Sequence, residues 1–212
     1  MEDRSAVSSD QIRYFRRKIL EWGPHHFQEF PWRVCENKWH CLVAEIMLQR
    51  TRAEQVSPVF RRFAARYSEP KFYVDDSDAN VFLKLGLPHR NQQFRALNAA
   101  VALHGLPATK ADLLELPGVG DYIASAFLSL HLGIREPLID SNIVRVYGRF
   151  FGFRTDGETR RKKWLRDLAD AITPKLKHRQ YNYSLIDFSR VICKPRPRCE
   201  DCPVKRKCRC AR

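Results

Sequence analysis

Leu116-Pro117-Gly118-Val119-Gly120 runs directly into Asp121–Leu132 (DYIASAFLSLHL), and Asp140 follows twenty residues after Gly120. The two glycines can take positive φ and carry no side chain, so a ligand can come close to the amides of a tight turn. The run behind them sets Ile123, Ala126, Phe127 and Leu130 on one face at helical spacing. A helix N-terminus there offers unpaired N–H groups and the positive end of a dipole, which suits an anion such as a DNA phosphate. Ahead of the turn, Lys110 to Glu115 (KADLLE) reads as a short helix, making the whole a helix-hairpin-helix. The pentad alone also fits an ordinary αα-hairpin with a glycine turn.

Outward from this hairpin the apolar periodicity is helical throughout. It predicts helices over roughly 9–22, 39–49, 53–67, 78–84, 90–104, 110–115, 121–132, 140–150, 157–173 and 179–191. Pro24, Pro31, Pro70, Gly86 with Pro88, Gly105 with Pro107, and Gly133 with Pro137 punctuate the boundaries. No alternating stretch is long enough to nucleate a sheet, so the fold class is all-α.

Charge points to a nucleic-acid partner. Thirty-eight Lys and Arg against twenty-four Asp and Glu leave a net +14 on 212 residues. Such an excess concentrates phosphate near the surface and makes binding salt-dependent. Between 190 and 212, nine basic residues face only Glu200 and Asp201. A solvated basic tail would look the same. No run approaches a membrane span, and the N-terminal MEDRSAVSSDQ does not read as a signal peptide. A soluble intracellular protein, cytoplasmic or at the nucleoid, is expected, with monomer as the default.

Seven cysteines in such a chain point to metal rather than disulfides. Cys193, Cys199, Cys202 and Cys208 form a C-x5-C-x2-C-x5-C array, and Pro195, Pro197 and Pro203 keep its loops from becoming helix. Tetrahedral zinc favours two close cysteine pairs, and only Cys199 and Cys202 make one. Wide, narrow, wide spacing suits a [4Fe–4S] cluster, whose corners lie farther apart than ligands on one ion. Cys210 could replace Cys208. Cys35 and Cys41 read as buried or partly buried thiols.

Two carboxylates stand out. Trp39 to Thr51 (WHCLVAEIMLQRT) is apolar on nearly every side, yet Glu45 lies in its middle. A carboxylate there is costly unless paired, or it rises in pKa and becomes a proton donor. Pairing with an Arg or capping a neighbouring helix is the competing reading. Asp140 opens the next helix with Ser141 and Asn142, so it could simply be an N-cap.

Five stretches now stand in order: Phe30-Pro31-Trp32-Arg33, Ala44-Glu45-Ile46-Met47-Leu48-Gln49-Arg50-Thr51, Leu116 to Gly120, Ile139-Asp140-Ser141-Asn142 with Arg145-Val146, and Asp187-Phe188 leading into the cysteines. Together they resemble the endonuclease III superfamily of DNA glycosylases, over about residues 10 to 208. The resemblance implies two helical domains with an interdomain cleft: a six-helix domain over 30–134 carrying the hairpin, and an iron–sulfur cluster domain from 1–29 and 135–212. It places Asp140 at that cleft and makes double-stranded DNA with a mispaired or damaged base the partner. A flipped-out base would be released as Asp140 stabilises the oxocarbenium-like sugar or activates water. Glu45 would protonate the departing base or position water, and Tyr122 would line the pocket. Gln49 or Arg50 would fill the vacated space and contact the orphaned base, and the hairpin amides would hold phosphate.

The same resemblance narrows the chemistry. Members that also cut the backbone place a lysine two residues after the second hairpin glycine, and here that residue is Tyr122, so a monofunctional hydrolase is expected. The branch acting on thymine or uracil opposite guanine is the more similar one. Adenine glycosylases share Glu45 and Met47-Leu48-Gln49. They usually carry Gly-Tyr-Tyr where this chain has Pro88-His89-Arg90, Asp-Gly-Asn where it has Asp140-Ser141-Asn142, and a further C-terminal oxoguanine-reading domain that is not expected here. The first cysteine gap is five residues where the family usually has six. A non-catalytic zinc-containing DNA-binding module would explain the charge and hairpin, but not Glu45 or Asp140.

Overall fold

The computed structural model describes residues 7–211, and the secondary structure of these residues is entirely helical. They contain ten α-helices: α1 (Ser9–Trp22), α2 (Lys38–Met47), α3 (Ala53–Arg66), α4 (Pro70–Asp75), α5 (Asn91–His104), α6 (Lys110–Leu114), α7 (Asp121–Ala126), α8 (Ser141–Phe151), α9 (Lys163–Ile172) and α10 (His178–Val191). The chain divides into two compact units, Glu29–Ile134 and Met1–Gln28 with Arg135–Arg212.

In the Glu29–Ile134 unit, α2 is the central rod. Asn37 caps it by accepting the His40 amide, and every residue from Trp39 to Met47 is buried. A helix that is apolar all round belongs inside a core. The Trp39 indole N–H donates to Asn98 Oδ1 at 2.8 Å, and the Asn98 amide donates to the Phe94 carbonyl at 2.7 Å. This pair fixes α2 to α5 through a buried amide whose oxygen and nitrogen both have partners. Past Ala126 the helix continues in π register over Phe127–Leu132 and packs on α2.

In the other unit α1 lies against α9 and α10, and α10 against α8. Ser8 and Gln11 close a capping box on α1, whose Phe15, Ile19 and Trp22 are buried. Phe15 packs against Tyr147, Phe150 and Phe151, and Trp22 against Phe188. Gly23 is required by close approach, since a Cβ there would lie 1.7 Å from Ser184 Oγ.

Two expectations need correction, and one short helix went unpredicted. Residues 78–84 form turns, not a helix. Asn91 accepts the Phe82 amide, Asn80 accepts the Leu83 amide, and the Arg95 guanidinium donates to the Ala79 carbonyl at 3.4 Å. Side chains thus take up part of this backbone in place of a helical ladder. The short helix α4, begun by Pro70 at its first turn, carries no apolar period of its own. The predicted helix 157–173 breaks, with a 3₁₀ turn at Thr159–Arg161 and extended backbone at Lys162 before α9.

Candidate active site

The hairpin forms as its residue types require. Thr109 caps α6 by accepting the Asp112 amide. Gly118 has φ +83°, a left-handed conformation that costs glycine little. Leu116 and Val119 are buried and hold the turn on the core, whereas Gly120 is exposed. The Leu116 amide donates to the Leu113 carbonyl and the Val119 amide to that of Leu116. Pro117 has no N–H, so the amides left for an outside anion are those of Gly118 and Gly120.

Gln49 and Arg50 part company at the end of α2. Gln49 Nε2 donates to the Gly118 carbonyl at 2.9 Å, which ties this side chain to the hairpin turn. The Arg90 guanidinium donates to the Gln49 carbonyl at 3.1 Å and to Gln49 Oε1, and it lies 4.9 Å from the Phe82 ring centroid. Burial, and then the charge of Arg50, hold Arg90 below the usual guanidinium range. Arg50 is exposed and has φ +59°, an uncommon backbone for a residue with a Cβ.

Glu45 is 5% exposed and its partner is a histidine, not the arginine considered above. His131 Nε2 lies 2.9 Å from Glu45 Oε1. On the same helix burial, and then Cys35, push the Cys41 thiol up to about 12, with Glu45 adding to the rise. Tyr122 is half-buried against the same core.

Asp140 belongs to the other unit and is an N-cap, yet keeps some exposure. Its Oδ1 accepts the Ile143 amide at 2.7 Å and its Oδ2 accepts Asn142 Nδ2 at 2.9 Å. Asn142 Oδ1 in turn accepts Arg145 Nη1 at 2.8 Å. Arg145 also donates to the carbonyls of Cys193 and Ser189, each at 3.0 Å. Asp140 is therefore linked through Asn142 and Arg145 to the first cysteine of the array.

Cys193, Cys199, Cys202 and Cys208 line one small cavity, together with Cys210 and an apolar wall that includes Val146, Phe150 and Phe188. Cys193 and Cys208 are buried and Cys210 is exposed. Burial pushes the Cys202 thiol up to about 11 and raises those of Cys193 and Cys208. Arg149 opposes this at Cys193, with Nη1 3.7 Å from the sulfur. Among the described residues no three His, Cys, Asp or Glu side chains form a group that could hold a metal ion.

No family model matches the chain. Whole-length relatives do: it is 34% identical to a thymine-DNA glycosylase of Aeropyrum pernix over 95% of this chain and 96% of that one. It is also 34% identical to a thymine/uracil-DNA glycosylase of Methanothermobacter thermautotrophicus over 95% of each. A thermostable thymine-DNA glycosylase of known structure superposes with a TM-score of 0.88 at 30% identity, over 95% of this chain and 97% of that one. The chain belongs to the endonuclease III superfamily of DNA glycosylases. It also matches an adenine DNA glycosylase of Buchnera aphidicola at 31% identity, over 92% of this chain but 58% of that protein.

As a glycosylase, the protein hydrolyses N-glycosidic bonds in DNA. Sequence reasoning left two side chains of this glycosylase unassigned, His131 and Arg90. His131 sits in an apolar run 86 residues from its partner, and nothing local marks it. Arg90 does carry a signal, as a cation beside Pro88 just ahead of a helix start.

Proposed function

We propose that this glycosylase removes thymine or uracil mispaired with guanine and leaves an abasic site without cutting the backbone. The likeness to thymine and thymine/uracil glycosylases supports the base, and Tyr122 supports the absence of strand cutting: at the second residue of α7 it presents a phenol, so no amine is available there for a Schiff base with the sugar. In this reading an easily opened mispair is flipped out. Arg50, exposed where Gln49 is tied back, reaches the orphaned guanine, whose N7 and O6 suit a guanidinium. Asp140 stabilises the positive charge that grows on the sugar as the bond lengthens. Glu45 gives a proton to the departing base, Tyr122 lines its pocket, and the Gly118 and Gly120 amides hold a backbone phosphate.

We assign the cysteine cavity to a [4Fe–4S] cluster held by Cys193, Cys199, Cys202 and Cys208. The reading is supported by the four cysteines lining one space with an apolar wall and by their wide, narrow, wide spacing. Bound there, the cluster would supply a fixed anchor for the 193–208 loop. A brown protein with a broad visible band is expected, and a colourless one containing zinc would overturn the assignment.

Buried Glu45 with its His131 partner favours a second reading, excision of adenine opposite guanine or 8-oxoguanine, because adenine leaves best when protonated. Labelled duplexes bearing G·T, G·U, A·G and A·8-oxoguanine pairs, heated in alkali after incubation, separate the two. Cleavage of G·T and G·U only after alkali is expected. Cleavage confined to the adenine pairs would replace the first reading with the second, and strand cutting without alkali would refute the monofunctional one.

A further inference from the structure

Glu45 is the most deeply enclosed carboxylate in α2, a helix with no other acidic residue, and what meets it comes from the π-register segment after α7. The Oε1–Nε2 separation is 2.9 Å, and the two side chains are 5% and 1% exposed. A π turn takes one more residue than an α turn and so re-aims the side chains within it, a device common at functional positions. Here all residues from Phe127 to His131 are buried, so the histidine is held as firmly as the carboxylate. A lysine or arginine in its place would keep Glu45 permanently ionised. An imidazole instead offers a single directed hydrogen bond from one ring nitrogen.

We propose that His131 is a positioning residue for Glu45: its Nε2–H donates to Oε1, pins the carboxyl in one orientation, and leaves Oε2 to carry the proton that the departing base receives. This rests on the reading of Glu45 as the general acid. In the step, the C1′–N electron pair moves onto the base, and the Oε2 proton passes to a nitrogen or oxygen of that base. Glu45 is left as a carboxylate that keeps the same Nε2–H bond. His131 does not change its own protonation, so it acts only through Glu45.

Leaving-group dependence separates this role from packing. A base made acidic by an electron-withdrawing substituent, such as 5-fluorouracil opposite guanine, departs with little need of a proton, whereas uracil needs more help. In single-turnover assays His131→Leu should slow release of uracil by ~10²-fold, within the range for losing general acid catalysis, and slow release of 5-fluorouracil by less than ~10-fold. Affinity for a duplex with a non-cleavable abasic analogue should stay within ~3-fold. His131→Gln, whose amide can donate to Oε1, should recover most of the uracil rate. The double variant E45Q/H131L should be no slower than E45Q, because groups that act as one unit are not additive. Equal losses on both bases, or an unchanged uracil rate in His131→Leu, would overturn the proposal. Full activity in E45Q would instead overturn the reading of Glu45 as the acid. If His131→Leu does not fold, the wild type decides: histidine-labelled protein should show a downfield Nε2–H resonance that is lost in Glu45→Ala, which has no side-chain acceptor. Absence of that resonance from the wild type would refute the hydrogen bond.

Discussion

Asp140→Asn should abolish base excision, by about 10³-fold or more, while leaving folding and duplex binding intact. The separation follows from the observed and the proposed job of this side chain. As an N-cap, Asp140 needs only an oxygen to accept the Ile143 amide at 2.7 Å, and asparagine supplies one as well as aspartate does. In the role proposed for it, stabilising positive charge on the sugar, it needs the anion, and removing a preorganised charge at that point costs catalysis about 10²–10³-fold or more. Asp140→Ala should add a loss of about 1 kcal/mol in stability through the missing cap. Single-turnover excision, thermal unfolding and duplex affinity, measured on both variants, check the separation. Near-normal excision by Asp140→Asn would show that another carboxylate does the work.

Arg145→Ala is expected to have the largest effect on stability among single changes near the site. The guanidinium holds the carbonyls of Cys193 and Ser189 and the side-chain oxygen of Asn142 at 2.8–3.0 Å. Truncation leaves these acceptors without their donor, at about 1–3 kcal/mol for each one that stays dry. A net loss of about 2–4 kcal/mol should lower Tm by roughly 5–15 °C for a chain of this size. Excision should fall in parallel, because Asn142 is freed and Asp140 loses the bond to its Oδ2. Arg145→Lys should restore little of either, since one ammonium cannot span three acceptors in a fixed fork. Unchanged Tm in Arg145→Ala would mean that water replaces the guanidinium without cost.

Most of the helices were legible because their burial is periodic: α1, α5 and α10 lie within a residue or so of where spacing puts them. The 78–84 segment was not, since Asn80, Asn91 and Arg95 take up part of its backbone, and hydrophobic spacing does not register such bonds. For Asp140, the cap and the carboxylate looked like rival readings. The geometry makes them compatible, because a cap uses one oxygen and Asn142 orients the other. Glu45 was legible as an anomaly, a charge in an apolar run, but its partner was not. His131 meets it only across two elements, one of them in a register that α-helical periodicity does not describe. Cysteine spacing marked out four residues with Cys210 as an alternative to Cys208, and the fold sets all five along one cavity.

The bond from Gln49 to the Gly118 carbonyl has a mechanical meaning. In the proposed reading it joins the tip that enters the duplex to the turn that grips the backbone, and Arg90 braces the joint. Tip and grip then move as one jaw of a caliper, with the span between a held phosphate and the probed base preset by the protein. DNA must bend to that span, and the sequence being bent sets the energy required. A sound pair resists and a loose mispair yields, so discrimination begins as a test of stiffness before any atom of the base is recognised.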